Sequence, residues 1–467
     1  MSEVKVNKIS PRTNCGTVTL GDSGDSFTIP AGVTITNNGT QTGFGRTGAV
    51  DWQTTKKTTS FTAVNGEGYF VDTGGGVVTV TLPASPSAGN IVYVKDYDGN
   101  FATNKCTIAR NGSNIRGATN DIDLEKDNAG VVCIYVDATE GWQLFFDGSD
   151  GDAFASFITA TGGTETTSGN YKIHTFTSPG TFSVSQIAST PTDNEVDYLV
   201  VAGGGGGGWN NNNAPQGASG GGAGGFRLSN ATGMSGPQTS PLASPSGVTV
   251  TATAFPITVG AGGAAASPSP TTNGVKGSNS VFSTITSTGG GFGSGDQDQP
   301  SNPGDGGPGG SGGGAHQCNP SKSTGAGNDP PVSPPQGNPG GTGSSPSGES
   351  GGGAGQAGNN STPGNNAGVG GDGSFVVSTG FAGCNGESGP VSGARYFAGG
   401  GGGSNSPGRS PAGSIGAGGV GGGGDGTTSP TGGDGVANTG GGGGGSSNAP
   451  GAGEGGSGIV IIRYKFQ

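Results

Sequence analysis

Few side chains in this sequence have the type and spacing that catalysis or metal binding requires. The chain of 467 residues contains two histidines, His174 and His316, which are too few for a histidine-rich metal site. His174 alternates with Ile173 and Thr175 in an extended segment, which is typical of a residue on a sheet face. His316 lies close to Cys318, but the pair could ligate a metal only if distant residues joined it. We therefore expect no metal site and no cofactor.

Two serines, Ser219 and Ser311, match the Gly-x-Ser-x-Gly pattern of a hydrolase nucleophile. That chemistry needs the serine on a sharp turn between a strand and a helix, and neither match has such neighbours. Acidic residues alternate over 121–127, and in a strand they would share one face. Lys126 stands where a calcium loop needs glycine, so a solvated strand face is favoured over a calcium site or a catalytic carboxylate pair. The sequence predicts a protein that is not an enzyme.

Aromatic and asparagine residues near glycine runs are the best candidates for contacting another molecule. The candidate contact residues are Trp209, Asn210, Asn211, Asn212, Asn213, Phe381, Tyr396 and Phe397. Rigid aromatic rings anchor interfaces and stack on sugars, and asparagine offers adaptable hydrogen bonds. The alternative is that the rings pack against the glycine-rich segments and make no external contact. Both interpretations are compatible with the sequence.

Composition excludes several classes of function. Glycine accounts for 109 and proline for 29 of the 467 residues, far above the composition of an ordinary enzyme. Collagen is excluded because glycine does not fall at every third position, as the unbroken glycine run 203–208 shows. The net charge of −12 lacks the basic footprint that nucleic acid requires, so no nucleic-acid partner is expected. The first residues lack the apolar core of a signal peptide, and we expect synthesis in the cytoplasm.

The five cysteines are Cys15, Cys106, Cys133, Cys318 and Cys384. They are widely spaced and odd in number, which encodes neither a disulfide framework nor a zinc cluster. We expect free or partly buried thiols, with a surface disulfide between Cys318 and Cys384 as the minor alternative.

Short runs rich in Val, Thr and Ile predict β-strands through the first 201 residues. Residues 1–45 give very short strands, whereas 46–150 give seven candidates without helical periodicity, which predicts an antiparallel sandwich or jelly roll. Residues 151–201 predict a small β-rich connector with a hairpin around Pro179-Gly180. The seven candidate strands are Ser60–Val64, Gly68–Asp72, Val77–Leu82, Ile91–Asp96, Cys106–Ala109, Val131–Val136 and Trp142–Phe146.

From residue 202 onward, glycine islands alternate with segments rich in Asn, Pro and Ser. Two β-branched runs, Asp197–Val201 and Ile459–Tyr464, bracket this region, and we expect them to pair in one sheet. Extended glycine chains form no internal hydrogen bonds, so each N–H and C=O must pair with a neighbouring chain. We therefore predict an ordered lattice held by backbone hydrogen bonds, and the alternative is low-complexity disorder. Inserted strands are predicted at 248–251, 257–259 and 281–285.

The pattern Asp197-Tyr-Leu-Val-Val-Ala-Gly, then many glycine islands, then Gly458-Ile-Val-Ile-Ile-Arg-Tyr, resembles the glycine-rich domains of bacteriophage tail fibres and tail-fibre adhesins. Segments 6–16 and 27–36 resemble the amino-terminal parts of fibre proteins from marine phages. The resemblance implies a tail protein of the virion that is attached near its amino terminus and is a homotrimer. It also implies a distal sandwich of polyglycine-type helices whose loops touch the host.

We therefore expect an all-β fibre protein that binds a host receptor and has four parts. These are an attachment and trimerisation segment 1–45, a β-sandwich domain 46–150, a connector 151–201 and a glycine-rich receptor-binding domain 202–467. The expected partners are a host outer-membrane protein or surface polysaccharide and other phage tail proteins. The alternatives are a head fibre or tail connector without receptor contact, and a tailspike depolymerase. Chains that cross a lattice reverse at each end, so successive loops should alternate between an inward and an outward tip.

Overall fold

The structure, a computed structural model, is built almost entirely from β-strands and extended segments, as the all-β prediction requires. The structure describes residues 9, 19, 50–146, 157–210, 216–234, 236–267, 273–295, 304–316, 323–343, 346–362, 366–405, 413–428, 431–447 and 451–467. Within these ranges the helical elements are one 3₁₀ turn, Pro191–Asn194, and one π-helical turn, Ser378–Ala382. None of the described residues forms a helix long and apolar enough to cross a membrane. The strands predicted for 1–45 fall outside the described residues.

Residues 50–146 form two packed sheets. The strands are β1 (Asp51–Lys57), β2 (Phe61–Thr62), β3 (Glu67–Val71), β4 (Val78–Thr81), β5 (Ile91–Asp96), β6 (Cys106–Ala109), β7 (Ile122–Leu124), β8 (Gly130–Asp137) and β9 (Gly141–Phe146). One sheet has the order β1-β3-β5-β8-β9 and the other β2-β4-β6-β7. Apolar residues at alternate strand positions enter the core between the sheets, where Phe101, Ile108 and Trp142 are fully buried. All seven predicted strands are present, with ends shifted by a few residues.

The strand directions in this domain differ from the predicted antiparallel sandwich. β1, β3 and β5 pair in parallel, as do β2, β4 and β6. The reason is that the chain passes to the opposite sheet after each of these strands, so neighbours in one sheet are every second strand of the sequence. Antiparallel pairing begins only with β7, β8 and β9. Strand periodicity sets which face is buried, but it carries no information about where a connection leads.

The alternating acids at 121–127 cap neighbouring groups of this domain. Asp123 accepts hydrogen bonds from Lys105 Nζ at 2.5 Å and from Thr107 Oγ1 at 2.7 Å. Asp121 accepts the backbone N–H of Arg110 at 2.9 Å. These acids therefore organise the edge next to β7.

Three of the cysteines lie within the described residues, and all three are free thiols. Cys106 and Cys133 are buried in the core, where burial raises the pKa of each thiol to about 12. Cys384 is exposed. The alternative pairing of Cys318 with Cys384 cannot be placed, since Cys318 lies outside the described residues.

The described part of 157–467 contains three sheets and the glycine segments. The strands are β10 (Thr159–Thr161), β11 (Thr164–Ser168), β12 (Tyr171–Phe176), β13 (Gly180–Gln186), β14 (Glu195–Val201), β15 (Phe226–Ser229), β16 (Ala243–Ser244), β17 (Val248–Thr249), β18 (Ala254–Thr258), β19 (Ser280–Phe282), β20 (Ile285–Ser287), β21 (Ser374–Val377), β22 (Glu387–Ser388), β23 (Ala394–Phe397) and β24 (Ile459–Lys465). The central sheet has the order β11-β12-β24-β14-β15-β16, and β17 also pairs with β14. A second sheet has the order β10-β13-β18-β19-β20, and a third β21-β23-β22. The predicted inserted strands correspond to β17, β18 and the pair β19 and β20.

The predicted pairing of the two bracketing runs is confirmed. β14 and β24 are antiparallel neighbours, with Tyr198 opposite Ile462 and Val201 opposite Ile459. The central sheet is covered on both faces, by Phe182 and Phe282 on one side and by Phe381 and Phe397 on the other. A strand buried on both faces needs apolar residues at successive positions. This is why β24 is a nearly continuous run of branched apolar residues.

The hairpin predicted around Pro179-Gly180 is not formed. β12 pairs with β11 and β24 in the central sheet, whereas β13 pairs with β10 and β18 in the second sheet. Phe176 of β12 and Phe182 of β13 are buried in the same hydrophobic cluster. The chain therefore turns from one sheet to the other, so that both strands face the core that the two sheets share.

Residues 203–208 show how the glycine segments are held. Their six N–H groups donate to three neighbouring segments in turn, at N···O distances of 2.9–3.1 Å, and return to the same neighbour every third residue. Their six carbonyls accept in the same way from three further segments. An extended helix with three residues per turn directs its backbone groups at intervals of one third of a turn, which gives this pattern. The acceptors, in order from Gly203, are the carbonyls of Ser278, Gly456, Gly222, Val275, Gly453 and Ser219.

This packing of extended segments, which we call the glycine lattice, leaves no room for a side chain at many of its glycine positions. A Cβ atom built on Gly206 would lie 2.0 Å from the carbonyl oxygen of Ala264, and one on Gly221 would lie 2.2 Å from that of Gly205. Neighbouring backbones occupy the space on these sides of the helix. The described parts of 202–458 are therefore an ordered scaffold, as predicted, and the scaffold is made of backbone.

Candidate functional site

The glycine segments run back and forth between two ends of the lattice. At the proximal end, Ala202 and Gly458 join β14 and β24. At the distal end, the carbonyl of Gly208 accepts the N–H of Ser446. The ends of further glycine segments lie there too, since the N–H of Gly208 donates to the carbonyl of Ser219 at 2.9 Å and the N–H of Ser404 donates to that of Ala218 at 2.8 Å.

Trp209 ends the first glycine segment and packs sideways onto small residues. It is 8 % exposed and forms a cluster with Ala265, Ala266 and Ala452. Its backbone bridges to Ser446. The alanines remove most of the indole from solvent, as the packing alternative for Trp209 describes, and its contact with a receptor stays a prediction.

Asn210 is fully buried and fastens the ends of a distal connection. Its backbone N–H donates to the carbonyl of Ser446 at 2.9 Å, and its Nδ2 donates to the carbonyl of Gln216 at 3.0 Å. The side chain thus joins the two chains on either side of 211–215. The side chain of Asn210 is used within the lattice, and its contact with a receptor stays a prediction. Asn211, Asn212 and Asn213 lie outside the described residues.

Other asparagines at the distal end repeat this arrangement, which we call an amide clamp. Asn405 Nδ2 donates to the carbonyl of Gly413 across 406–412. Asn366 Oδ1 accepts the backbone N–H of Ser414 at 3.0 Å. Two of these clamps hold together the chain ends on either side of 211–215 and of 406–412, and the third joins two different segment ends.

Phe381, Tyr396 and Phe397 lie at the proximal end and are 3 %, 6 % and 0 % exposed. Phe381 and Phe397 are buried against the central sheet, in the cluster that contains Ile459. Their rings complete the hydrophobic core beneath the sheet, as the packing alternative describes, and their contact with a receptor stays a prediction. Tyr396 keeps a small exposed edge beside Phe375, at 5.2 Å between ring centroids.

The serines of the Gly-x-Ser-x-Gly matches are part of the lattice. Ser219 is fully buried, and its Oγ donates to the carbonyl of Ala315 at 2.9 Å. Ser311 is also fully buried. The Ser219 hydroxyl thus adds one more hydrogen bond to a backbone carbonyl of the lattice. The Gly-x-Ser-x-Gly matches arise because glycine is abundant around serine in this sequence.

Glu349 is a carboxylate enclosed by the lattice. It is fully buried, and it accepts the backbone N–H of Ser361 at 2.6 Å and the hydroxyl of the same residue. Burial raises the pKa of this carboxyl group, while the bonds from Ser361 oppose the rise.

An ion pair lies between the two bracketing strands. Asp197 and Arg463 are opposite each other in β14 and β24, and Arg463 Nη2 lies 3.4 Å from Asp197 Oδ2. Asp197 also accepts the backbone N–H of Ala231 at 2.7 Å and the hydroxyl of Ser229 at 3.0 Å. The guanidinium lies over the ring of Tyr171 at 4.2 Å. Burial lowers the pKa of Arg463, and the charge of Asp197 opposes this.

The two histidines have structural surroundings. His174 is fully buried, with its Nδ1 2.7 Å from the carbonyl of Gly162 and its Nε2 3.1 Å from the hydroxyl of Tyr464. Burial lowers the pKa of His174. The buried His316 donates its backbone N–H to Gly304. Across the described ranges no three His, Cys, Asp or Glu side chains converge in a way that could hold a metal ion.

The polar rim around the distal end was not identified from the sequence. Its exposed described residues include Thr342, Asn360, Thr362 and Ser414, which offer hydroxyl and amide groups. The signal that could have found the clamps is an Asn directly beside a proline-containing segment that interrupts two glycine islands. The arrangement as a whole combines a backbone scaffold with a polar distal end.

Comparison with known proteins bears on the same part of the chain. No curated protein gives a match to the sequence. A family model described as a glycine-rich domain matches residues 175–465, from strand β12 to the last residue of β24. The match covers more than half of the chain and includes both bracketing strands. The chain therefore belongs to the glycine-rich domain family.

Proposed function

We propose that this protein is the receptor-binding protein of a bacteriophage tail fibre, and that the distal end of the glycine lattice faces the host. The observation that carries the proposal is that glycine segments end together at Asn210, Asn405 and Ser446 and are held there by amide clamps and backbone hydrogen bonds. Binding functions concentrate in loops held by a rigid scaffold. The proposal includes attachment through the amino-terminal part, assembly with other tail proteins and a homotrimeric state.

The lattice suits this function because its stability does not depend on loop side chains. Gly203–Gly208 are held by neighbouring backbones, and Asn210 and Asn405 close the chain below the connections. Loops can then change in sequence without disturbing a hydrophobic core. A protein that must follow a changing receptor gains from such a separation.

The chemistry of the exposed rim favours a polar receptor. Thr342, Asn360, Thr362 and Ser414 offer donors and acceptors without a formal charge. Such groups suit the hydroxyls of a surface polysaccharide or the polar loops of an outer-membrane protein. All the candidate contact residues remain a prediction, and Asn211, Asn212 and Asn213 are the ones chosen for the test.

The experiment is a competition for adsorption. Purified protein is added to susceptible host cells before the phage, and we expect it to block adsorption. The variant N211S/N212S/N213S should lose at least tenfold in blocking potency, whereas T54S/T55S, in the exposed strand β1, should block as well as wild type. Full activity of the triple variant would exclude these asparagines as contacts, and failure of the wild type to block would contradict the proposal.

Two further measurements separate the alternatives. Labelled antibody on intact virions should mark the tail, and a label on the head would indicate a head fibre. New reducing ends after incubation with host polysaccharide would indicate a depolymerase.

Light scattering tests the oligomeric state. It should give three times the mass of one chain, and a monomer would contradict the trimer.

A further inference from the structure

A cavity of about 390 Å³ opens at the proximal end of the lattice, at the opposite end from the proposed receptor surface. Its walls come from the loop 240–242, from Gly355 and Gln356, and from the segment 372–375 together with Tyr396. The volume is near the lower end of the roughly 300–1,000 Å³ range of small-molecule sites. A ligand of this size is one small ring system rather than a protein loop.

One wall of the cavity is aromatic and held in place. Phe375 and Tyr396 are directly opposite each other in β21 and β23, and their ring centroids are 5.2 Å apart. The Tyr396 hydroxyl accepts the backbone N–H of Val391 at 3.3 Å. Its ring lies on Gly389, where a Cβ would come within 2.4 Å of the ring. The aromatic wall is therefore fixed before any ligand arrives.

The lining of the cavity also carries a carboxylate and an amide. Asp372 Oδ1 accepts the backbone N–H of Val420 at 3.0 Å, which fixes the carboxylate, while Oδ2 accepts no hydrogen bond from any described residue. Gln356 is exposed, and both its backbone N–H and that of Gly355 donate to the carbonyl of Asp372 at 3.0 Å. A fixed carboxylate and a nearby amide supply acceptors and donors beside an aromatic wall.

We propose that this cavity binds one neutral sugar residue. The C–H face of a pyranose packs on an aromatic ring such as Phe375, and the hydroxyls at its edge bind a carboxylate and an amide such as those of Asp372 and Gln356. The carboxylate disfavours acidic sugars, since a second negative charge would be repelled in a partly enclosed site. This site is separate from the distal end and does not depend on the proposed function.

The test uses NMR to measure the transfer of saturation from the full chain to a sugar. Four sugars serve as probes: D-glucose, D-galactose, D-mannose and N-acetyl-D-glucosamine. We expect saturation of at least one probe. The variants Phe375→Leu and Asp372→Asn should each weaken its binding at least tenfold. The matched control is Asp425→Asn, since Asp425 likewise caps a lattice N–H, that of Gly418 at 2.8 Å, but does not line the cavity.

Asp372→Asn keeps the acceptor for Val420, so it tests the ligand contact without removing the lattice bond. Melting temperatures within about 2 °C of wild type would show that the variants are folded. The proposal is overturned if none of the four sugars shows saturation transfer, or if folded Asp372→Asn binds its probe as wild type does. Equal loss of binding in Asp425→Asn would also overturn it.

Discussion

At the scale of single residues, charged side chains are enclosed at a few defined points of the glycine-rich domain. Asp197 and Arg463 tie the two bracketing strands together, and Glu349 lies inside the lattice with Ser361 as its partner. A buried charge is costly unless it is paired and hydrogen-bonded. Asp197 has a counter-charge, whereas the described bonding partner of the Glu349 carboxylate is the uncharged Ser361. Substitution should therefore lower the free energy of unfolding at Asp197 and raise it at Glu349.

Replacing Asp197 should strongly destabilise the domain. In Asp197→Asn the guanidinium of Arg463 stays buried without its counter-charge, and we expect a loss of about 3–5 kcal/mol in the free energy of unfolding. Urea unfolding followed by circular dichroism measures this. The control is Asp193→Asn, whose pair with Lys465 is partly exposed and should contribute less than about 1 kcal/mol. Equal effects of the two substitutions would contradict the role assigned to burial.

Replacing Glu349 should stabilise the protein at neutral pH. The pKa of the folded carboxyl group is raised above its unfolded value of 4.5, so protonation favours the folded state. This stabilisation is complete below pH 4.5 and is lost as the pH rises through the folded pKa. We expect Glu349→Gln to melt at a higher temperature than wild type at pH 7, with the difference vanishing below pH 4.5. A difference independent of pH would show that ionisation of Glu349 is not involved.

At the scale of elements, the glycine segments differ from strands and α-helices in what holds them. A strand such as β24 is fixed by apolar side chains on both faces, whereas 203–208 is fixed by backbone groups pointing to six neighbours. A cooperative net gain of about 0.5–1.5 kcal/mol per hydrogen bond has to offset the large conformational entropy of glycine. The segments are therefore sensitive to any atom that separates them.

A single methyl group should disrupt the lattice. Gly206→Ala places Cβ 2.0 Å from the carbonyl oxygen of Ala264, and because that atom belongs to backbone it cannot move aside. We expect a loss of about 3 kcal/mol or more, at or beyond the upper end of ordinary overpacking costs. The control Gly75→Ala lies in an exposed turn with nothing within 4 Å of the new Cβ. Calorimetry of both variants measures the difference, and a wild-type transition in Gly206→Ala would contradict the lattice.

At the scale of the whole molecule, the first and last strands of the glycine-rich domain are neighbours. β14 leads into the lattice and β24 leaves it, and the two pair along Asp197–Val201 and Ile459–Arg463. All the segments between them therefore form one closed unit. The integrity of the lattice therefore depends on the strand that follows its last glycine segment.

Deleting residues 459–467 should release the lattice as a unit. The deletion removes the centre of the sheet, with Val460, Ile462 and Tyr464 from one core and Ile459 and Ile461 from the other. We expect loss of the thermal transition of the glycine-rich domain and rapid proteolysis of 202–458. Deletion of the exposed Gln467 alone is the control. A truncated protein that keeps its transition and protease resistance would contradict the closing role of β24.

Much of this architecture could be predicted from the sequence, and the exceptions share a physical cause. Alternating Val and Thr identified the strands of 50–146, and the β-branched run at 459–464 identified the partner of β14, because burial leaves a local pattern. The direction of β1, β3 and β5 and the separation of β12 from β13 could not be predicted, since they depend on where a connection leads. The burial of Trp209 and Asn210 was missed for the same reason: it is created by segments far away in the sequence, such as Ala452 and Ser446.

A hydrogen-bond pattern that returns to the same neighbour every third residue also restricts how the gene can change. Inserting one residue into 203–208 would rotate every later N–H by about one third of a turn and direct it to the wrong neighbour. Inserting three would keep every direction and would lengthen the segment by about 9 Å, at roughly 3.1 Å per residue. Viable changes in segment length should therefore come in steps of three codons, whereas the connections between segments are free of that rule. In an alignment of sequences with this architecture, the glycine islands should differ in length by multiples of three residues, whereas the connections should differ by any number.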